Sequence, residues 1–386
     1  VRILLISENF DPRRGGAERS LLEMGLALTG LGHRVEVLAN RSPLRHDWLH
    51  VLDGPSVSRR RGLLRFAERA RAFVQGADYD VVHSITPALG GDVYQPRAGC
   101  LPALFQAAIE RPRTGLARAG RRLALRFNAK RQALLNLERR IIQAGQALVC
   151  PVSRASAKTY ETFYGLSPDK MEVVFNAVDL KPPRPEERAA WRAEQRRLWG
   201  LSDRERVLLF IGHDFERKGL EVVIEALNLA GQRGREAWRL MVVGRDQGGP
   251  YFRQAARQGV SRRIRWLDDV TSPVSPMLGA DLLALPTFFD PCSRVVLEAL
   301  ILGLPAATTP QNGASEVVDH GRSGFVLNGP RHVEGLVEAM TALEDPGRAA
   351  EISRAASAKA DWLRPERMAA ELTRIYERLP GRRSRA

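Results

Sequence analysis

Short apolar runs alternate with longer amphipathic stretches along this 386-residue chain, and the alternation is completed twice. In the first half, residues 3–7, 34–39, 80–83, 147–152 and 171–175 read as strands, and 18–31 as an amphipathic helix stopped at Gly30 and Gly32. Pro182, Pro183 and Pro185, followed by an Arg/Glu-rich stretch through Arg197, break the pattern. It then restarts, with strands expected at 206–212, 239–244, 264–267, 281–286, 306–309 and 324–327, helices at 220–230 and 295–302, and further helices from 334 to 379. Alternation of this kind builds parallel sheets covered on both faces, so the expected class is α/β with two doubly wound domains. A chain this long also exceeds one ordinary core. The domains read as 1–180 and 181–365, followed by a C-terminal helix and basic tail at 366–386 placed to cross back to the first domain. Two such domains facing each other leave a cleft at the carboxyl ends of their strands, where doubly wound folds hold ligands.

Charge narrows the partners only where it clusters. The formal net charge is +15, but six of the 59 cations are lysine, an Arg bias that reflects genome composition as readily as selection at a site. Between 111 and 140 the cations Arg111, Arg113, Arg118, Arg121, Arg122, Arg126, Lys130, Arg131, Arg139 and Arg140 face one acid, Glu138, with Leu116, Leu123, Phe127, Leu134 and Leu137 at helical spacing among them. Such a segment is either the solvated face of a core helix or a surface that docks on anionic lipid. The chain has no aromatic-studded basic strand face, so nucleic acid is not expected as a partner. No apolar run approaches the roughly 18 residues of a spanning helix. The start, Val1 to Ser7, runs from a strand into charged residues and is not a signal peptide. Cys100, Cys150 and Cys292 are too few and too widely spaced for a disulfide framework or a zinc site, which fits a reducing cytoplasm.

The chemistry concentrates in Asp290-Pro-Cys-Ser-Arg-Val-Val-Leu-Glu298. Asp290 falls in a strand-to-helix loop. The backbone N–H groups of Ser293, Arg294 and Val295 stand at the helix start, where the dipole favours a phosphate. Glu298 lies a turn further in and leans back toward a hydroxyl beside that phosphate. In Gly212-His-Asp-Phe-Glu-Arg217-Lys218-Gly219, a fixed cation can offset charge developing on a diphosphate leaving group; Lys218 is favoured, and Arg217 is as readily a solvated charge. In Phe10-Asp-Pro-Arg-Arg-Gly15-Gly16-Ala-Glu18, paired glycines either let the backbone approach an anion or simply turn the chain. It lacks the G-x-G-x-x-G spacing, which argues against nicotinamide chemistry. The loop from Gln311 through Glu316 to Gly324 either caps a cleft or turns the chain. His83, Asp92 and Arg97 are polar candidates in the first half, with structural roles the ordinary alternative. Asp78-Tyr-Asp80 matches a metal-binding D-x-D but precedes a strand and reads as turn residues.

Together these motifs resemble the retaining glycosyltransferases of GT-B architecture, with two Rossmann-like domains facing across a cleft, a family that includes bacterial glycogen synthases and many cell-envelope sugar transferases. The resemblance runs from the Gly15-Gly16-Ala-Glu18 loop through Asn176-Ala-Val-Asp179 to Glu316 and Gly324. It implies that Asp290 touches the donor sugar's hydroxyls, Glu298 holds the ribose and Lys218-Gly219 binds the diphosphate. Three positions depart from the family: His213 stands where an Arg is common, Ala177 replaces a glycine after Asn176, and Asp290 is one methylene shorter than the usual Glu. Within the family, the 212–219 and Asp92-Val-Tyr94 segments look most like the lipopolysaccharide core glucosyltransferase I group, which adds glucose to an inner-core heptose at the cytoplasmic face of the inner membrane. That group carries a basic membrane-facing region in its first domain, matched here by 111–140.

The activity so implied is transfer of a hexose, glucose by the subgroup match, from a UDP-sugar to a cell-envelope glycan or glycolipid, by a cytoplasmic enzyme peripheral on the membrane. Asp290, Lys218 and Asp92 are the expected catalytic groups. Gly16, His213, Arg217, Lys218, Ser293, Arg294, Val295 and Glu298 are expected on the donor side, and Gly15, Glu18, His83 and Arg97 on the acceptor side. No metal or other cofactor is expected, because fixed cations take over the metal's role. A nucleotide-sugar 2-epimerase shares the architecture, and a non-enzymatic basic binder of nucleic acid or anionic surfaces is the other alternative. A glycoside hydrolase would also use two carboxylates, but it would leave Lys218 idle.

Overall fold

The apolar run behind Val1 forms β1 (Arg2–Asn9), the strand on which the first sheet is built. Around it lie β2 (Arg34–Arg41), β3 (Leu49–Val51), β4 (Val81–Ser84), β5 (Val93–Tyr94) and β6 (Leu148–Val149). Their spatial order is β3-β2-β1-β4-β5-β6, every pair parallel. The computed structural model describes residues 1–379 except 14, 247, 269 and 271, so the expected basic tail at 380–386 lies outside the described residues. The chain divides into two compact units, Val1–Asp179 together with the described part of the segment from Arg364, and Leu180–Leu363.

Alternation along β1 explains the layering of the first unit. Ile3 and Leu5 pack with Leu21, Met24 and Leu28 of the helix Gly16–Gly30 and with Met368, Leu372 and Ile375 of the helix Pro365–Arg378. Leu4 and Ile6 point the other way, onto Phe66, Ala70 and Val74 of the helix Arg60–Gln75. A strand buried on both faces has to be apolar at every position, which is why the period-two pattern is missing from the sequence.

The second unit repeats the plan with β7 (Arg206–Ile211), β8 (Trp238–Val243), β9 (Ile264–Leu267), β10 (Leu282–Leu285), β11 (Ala306–Thr308) and β12 (Gly324–Val326), all parallel, in the order β12-β11-β10-β7-β8-β9. Asp281, just before β10, accepts from Arg192 at 2.6 Å and Arg196 at 3.4 Å of the helix Pro185–Leu198 and from the Val207 N–H at 2.7 Å. That carboxylate ties the first helix of the unit to its two central strands.

Two expectations need correction. The strand expected at 171–175 is an extended segment whose ladder pairing is a single bridge from Met171 to Val149. The segment Asp92-Val-Tyr94, for which no strand was expected, contains one: Val93–Tyr94 is β5.

Glu138 is the least expected buried group. It lies in the helix Ala129–Ala144, fully buried, and both its oxygens are taken: Oε1 accepts from Tyr94 at 3.0 Å and Tyr160 at 3.2 Å, and Oε2 from Tyr164 at 2.8 Å and the Leu101 N–H at 2.9 Å. Burial pushes its pKa up against those hydrogen bonds. Glu138→Ala removes the acceptor of all four hydrogen bonds and is expected to lower unfolding stability by about 1–3 kcal/mol or more; urea denaturation with an unchanged midpoint would show the cage to be dispensable.

Candidate active site

In the second sheet the chain winds outward from β7 through β8 to β9, then returns to the other side of β7 as β10. The gap between the carboxyl ends of β7 and β10 is therefore the topological switch point, where open parallel sheets hold ligands. The turn after β7 and the loop after β10 meet there.

After β7, Asp214 caps the short turn Phe215–Lys218 by accepting from the Arg217 N–H at 3.0 Å. Gly219 ends the turn at φ 81°, and a Cβ there would stand 2.3 Å from the Pro286 carbonyl oxygen. Only glycine lets the turn press so close to the loop after β10. Across that contact the Arg217 carbonyl accepts from the Phe288 N–H at 2.8 Å and from Thr287 Oγ1 at 2.9 Å, while the Arg217 guanidinium donates to the Phe289 carbonyl at 3.2 Å.

This stitching delivers Lys218 to Asp290. The Lys218 ammonium, on a residue 8% exposed, donates to Asp290 Oδ2 and approaches Ser293 Oγ at 3.4 Å. Arg217 stands 3.7 Å from the same carboxylate oxygen. Burial pushes the Lys218 pKa below the ordinary lysine value; Asp290 opposes the shift and Arg217 adds to it. Asp290 Oδ1 accepts from the Cys292 N–H at 3.2 Å. One carboxylate thus faces two cations, and an anion arriving at either cation competes with it.

The loop leads into the helix Arg294–Ile301. Glu298 is buried there and pairs with Arg294, one turn back, at 3.5 Å. Val295, the second residue of this helix, is half-buried. The Ser293 N–H is bonded at 3.0 Å to Oδ1 of Asn312, so it is not a seat for phosphate as expected. Asn312 is fully buried, also accepts from the Ala314 N–H at 3.1 Å and donates to Thr308 Oγ1 at 3.0 Å. It locks the loop after β11 to the loop after β10. Asn312 falls in the loop expected from Gln311 to Gly324, and an Asn directly before a glycine-led turn is the one sequence signal of this role. His213 is exposed just beyond β7, and Glu316 is exposed in the short helix Gly313–Val317.

Several of the candidates in the first unit need correction. Asp92 is buried and its Oδ2 accepts from the Val82 N–H at 2.8 Å, which makes it a sheet-pairing residue rather than the expected catalytic acid. His83 is buried within β4, bonded through Nδ1 to the Tyr376 hydroxyl at 2.6 Å, with its pKa pushed down to about 3 by burial and then by Arg97. It is a neutral core histidine whose Nε2 is buried without a hydrogen-bond partner among the described residues. Arg97 donates to Asn176 Oδ1 at 3.1 Å, and Ser20 Oγ to the same oxygen at 3.3 Å, so the 176–179 segment is held from within the unit. Gly15 precedes the helix Gly16–Gly30 with extended backbone, and a Cβ on it would come within 2.8 Å of Glu18 Oε2. The Glu18 carboxylate thus stands in front of Gly15, where an anion was expected.

Two parallel α/β sheets, one with a lysine–carboxylate pair at its switch point, define a GT-B fold, and solved structures share it. A crystal structure of WaaG, a glycosyltransferase involved in lipopolysaccharide biosynthesis, matches with TM-score 0.76 at 20% identity over 97% of this chain and 99% of that one. HepE of Anabaena in complex with UDP-glucose matches with TM-score 0.69 at 21% identity over 97% and 99%. Residues 205–345 match the family described as glycosyl transferases group 1, and residues 14–182 match Glycosyltransferase Family 4. The two halves of the chain thus each match a glycosyltransferase family model. Among curated relatives, it is 29% identical over 230 residues to the D-inositol 3-phosphate glycosyltransferase of Pseudarthrobacter chlorophenolicus, covering 58% of this chain and 53% of the relative. It is 27% identical over 181 residues to the lipopolysaccharide glucosyltransferase WaaG of Escherichia coli, covering 47% and 48%. The chain therefore spans about half the length of these two relatives.

Proposed function

We propose that the chain is a retaining hexosyltransferase that moves glucose from UDP-glucose to a cell-envelope glycan or glycolipid such as the lipopolysaccharide core. The observation that carries this reading is the Lys218–Asp290 pair at the β7/β10 switch point, beside the start of the 294–301 helix. The diphosphate takes Lys218, with Arg217 and His213 at the same strand end and the Arg294 and Val295 backbone at the helix start. Asp290, exchanged off the lysine, reads a sugar hydroxyl, and Glu298 holds the ribose. Charge building on the leaving phosphate is met by cations already in place, so no metal is needed, and the acceptor proton goes to that phosphate. HepE, solved with UDP-glucose, and WaaG, named as a lipopolysaccharide glucosyltransferase, support the choice of donor and acceptor class.

The test is a panel of nucleotide sugars scored by thermal stabilisation, since a ligand bound only by the folded form raises its melting point. UDP-glucose is expected to shift it most, and release of UDP to follow on adding lipopolysaccharide core or D-inositol 3-phosphate as acceptor. A UDP-sugar epimerised without any acceptor would point to the epimerase instead. Glu298→Ala is expected to weaken UDP binding about ten-fold or more, as loss of a charged hydrogen bond does; calorimetry with unchanged affinity would remove the ribose role.

We also propose that the enzyme works at the cytoplasmic face of a membrane, docked through 111–140. Among the described residues no helix is long and apolar enough to cross a membrane. The helix Gly115–Arg126 buries only Leu125, however, and Leu116 and Phe127 are 87% and 75% exposed beside Arg118, Arg122 and Arg126. An apolar stripe flanked by arginines suits an anionic interface. Cosedimentation is expected with vesicles rich in phosphatidylglycerol and to weaken steeply as salt rises. Equal binding to neutral phosphatidylcholine vesicles would contradict it.

A further inference from the structure

The hydrogen bonds of the loop after β11 end on the loop after β10. The Asp290 N–H donates to the Gln311 carbonyl at 2.9 Å, and the Gly313 N–H donates to the Asp290 carbonyl at 2.9 Å. The residues on either side of Asn312 therefore hold both backbone groups of Asp290, as an isolated parallel bridge between Asp290 and Asn312. Thr309 Oγ1 donates to the Thr287 carbonyl at 2.6 Å, and Thr287 Oγ1 in turn donates to the Arg217 carbonyl. The turn after β7 and the loops after β10 and β11 are thus one hydrogen-bonded unit.

The side chain of Asn312 ties that unit to the sheet. Its Oδ1 takes the N–H groups of Ser293 and Ala314, and its Nδ2 donates to Thr308 Oγ1, whose own proton goes to the Leu285 carbonyl at 2.9 Å. Thr308 closes β11 and Leu285 closes β10. A planar amide carries its donor and acceptor in fixed directions, so Asn312 sets Ser293 against the ends of two strands. Asn312, Thr287, Thr308 and Thr309 are fully buried, and water does not compete for these bonds. An amide that served only its own turn would need no more than the bond to Ala314; the other two leave the turn, one for the start of the 294–301 helix and one for the sheet.

We propose that Asn312 is a positioning residue for glycosyl transfer: it holds the backbone at Asp290 and Ser293 in place while the Asp290 side chain leaves Lys218 for a sugar hydroxyl. The assignment rests on the donor reading above. A charged pair opens there when the diphosphate arrives, and a loop free to follow the side chain would carry Asp290 out of reach of the sugar. With the backbone pinned, the exchange is a side-chain rotation. Groups in a reacting site have to be held within about 0.5 Å, a precision that a strand or helix supplies and a loop by itself does not. Asn312 acts through Asp290 and Ser293, not on the reacting atoms.

The test measures UDP release from UDP-glucose, with lipopolysaccharide core or D-inositol 3-phosphate as acceptor, beside calorimetric binding of UDP. Asn312→Ala is expected to lower kcat about 10²-fold, the cost of misplacing a reacting group by about 1 Å, and to leave the Kd for UDP within about three-fold of the unmodified value. Asn312→Asp keeps the shape of the side chain and the oxygen that Ser293 and Ala314 address, and the Thr308 hydroxyl can turn its proton to the second oxygen. It is expected to bring kcat back to within about ten-fold. A residue needed only for folding lowers the melting temperature, the UDP affinity and kcat together, with no recovery in Asn312→Asp. If Asn312→Ala does not fold, Thr308→Val removes the hydroxyl that receives Nδ2 and keeps the side chain's shape; it is expected to give the same split at about ten-fold in kcat. A kcat within about three-fold of the unmodified chain, UDP affinity falling in step with kcat, or no recovery in Asn312→Asp overturns the assignment and leaves the donor site standing. An unmodified chain that binds no UDP overturns the donor reading itself, and the assignment falls with it.

Discussion

Lys218→Ala is expected to lower the turnover of glycosyl transfer by about 10²- to 10³-fold, the usual cost of removing one preorganised group from developing charge. The lysine is held by Asp290 and Ser293 before any donor arrives, so its position requires no reorganisation during reaction. Its lowered pKa reflects burial, and a buried cation acts on a leaving diphosphate with far less screening than one in water. Lys218→Arg would not restore the rate, because a planar guanidinium does not reproduce the compact ammonium charge set between Asp290 and Ser293. Initial rates of UDP release at saturating donor check this. Turnover within a factor of three of the unmodified chain would remove Lys218 from the chemistry.

Asp290→Asn is expected to split binding from turnover. In the free protein the carboxylate neutralises Lys218 and stands 3.7 Å from Arg217. Without its charge both cations are left for the diphosphate, and UDP alone should bind about ten-fold tighter, a typical coupling for a close charge pair. Arg217 keeps its pair with Asp214 at 3.0 Å, but the buried Lys218 left without its carboxylate destabilises the unliganded fold, so its melting temperature falls and UDP restores more of it than in the unmodified chain. Turnover should nevertheless drop about 10- to 100-fold, since the charged hydrogen bond to the sugar hydroxyl is lost. Calorimetry and rates on one preparation decide the matter. Weaker UDP binding in Asp290→Asn would mean that the carboxylate assists the diphosphate instead of competing with it.

The central strands were the legible part of the fold. Runs such as 282–285 are apolar at every position because both faces are covered, and they stand out against Arg-rich helices. The edge strand Leu49–Val51 was not legible, since it is three residues long with His50 at its centre, nor was Val93–Tyr94, which is two residues between Asp92 and Gln95. The helix Arg60–Gln75 was hidden by its arginines, although Leu63, Phe66, Ala67, Ala70 and Val74 form its buried face. At the site, Lys218 and Asp290 were readable because each follows a strand and adjoins a turn, and parallel strands bring such turns together. Asp92 and His83 misled for the opposite reason. A polar residue inside a sheet is often spent on a backbone N–H or a distant hydroxyl, here Val82 and Tyr376, and sequence carries no sign of that expenditure. Asn312 acts across two loops that only the strand order brings together.

A crystal of the full chain soaked with UDP-glucose tests the central claim most directly. The account predicts the diphosphate on Lys218 at the start of the 294–301 helix, with Asp290 moved off the lysine and onto a glucose hydroxyl. Donor bound elsewhere, or bound with the Lys218–Asp290 pair still closed, would contradict it.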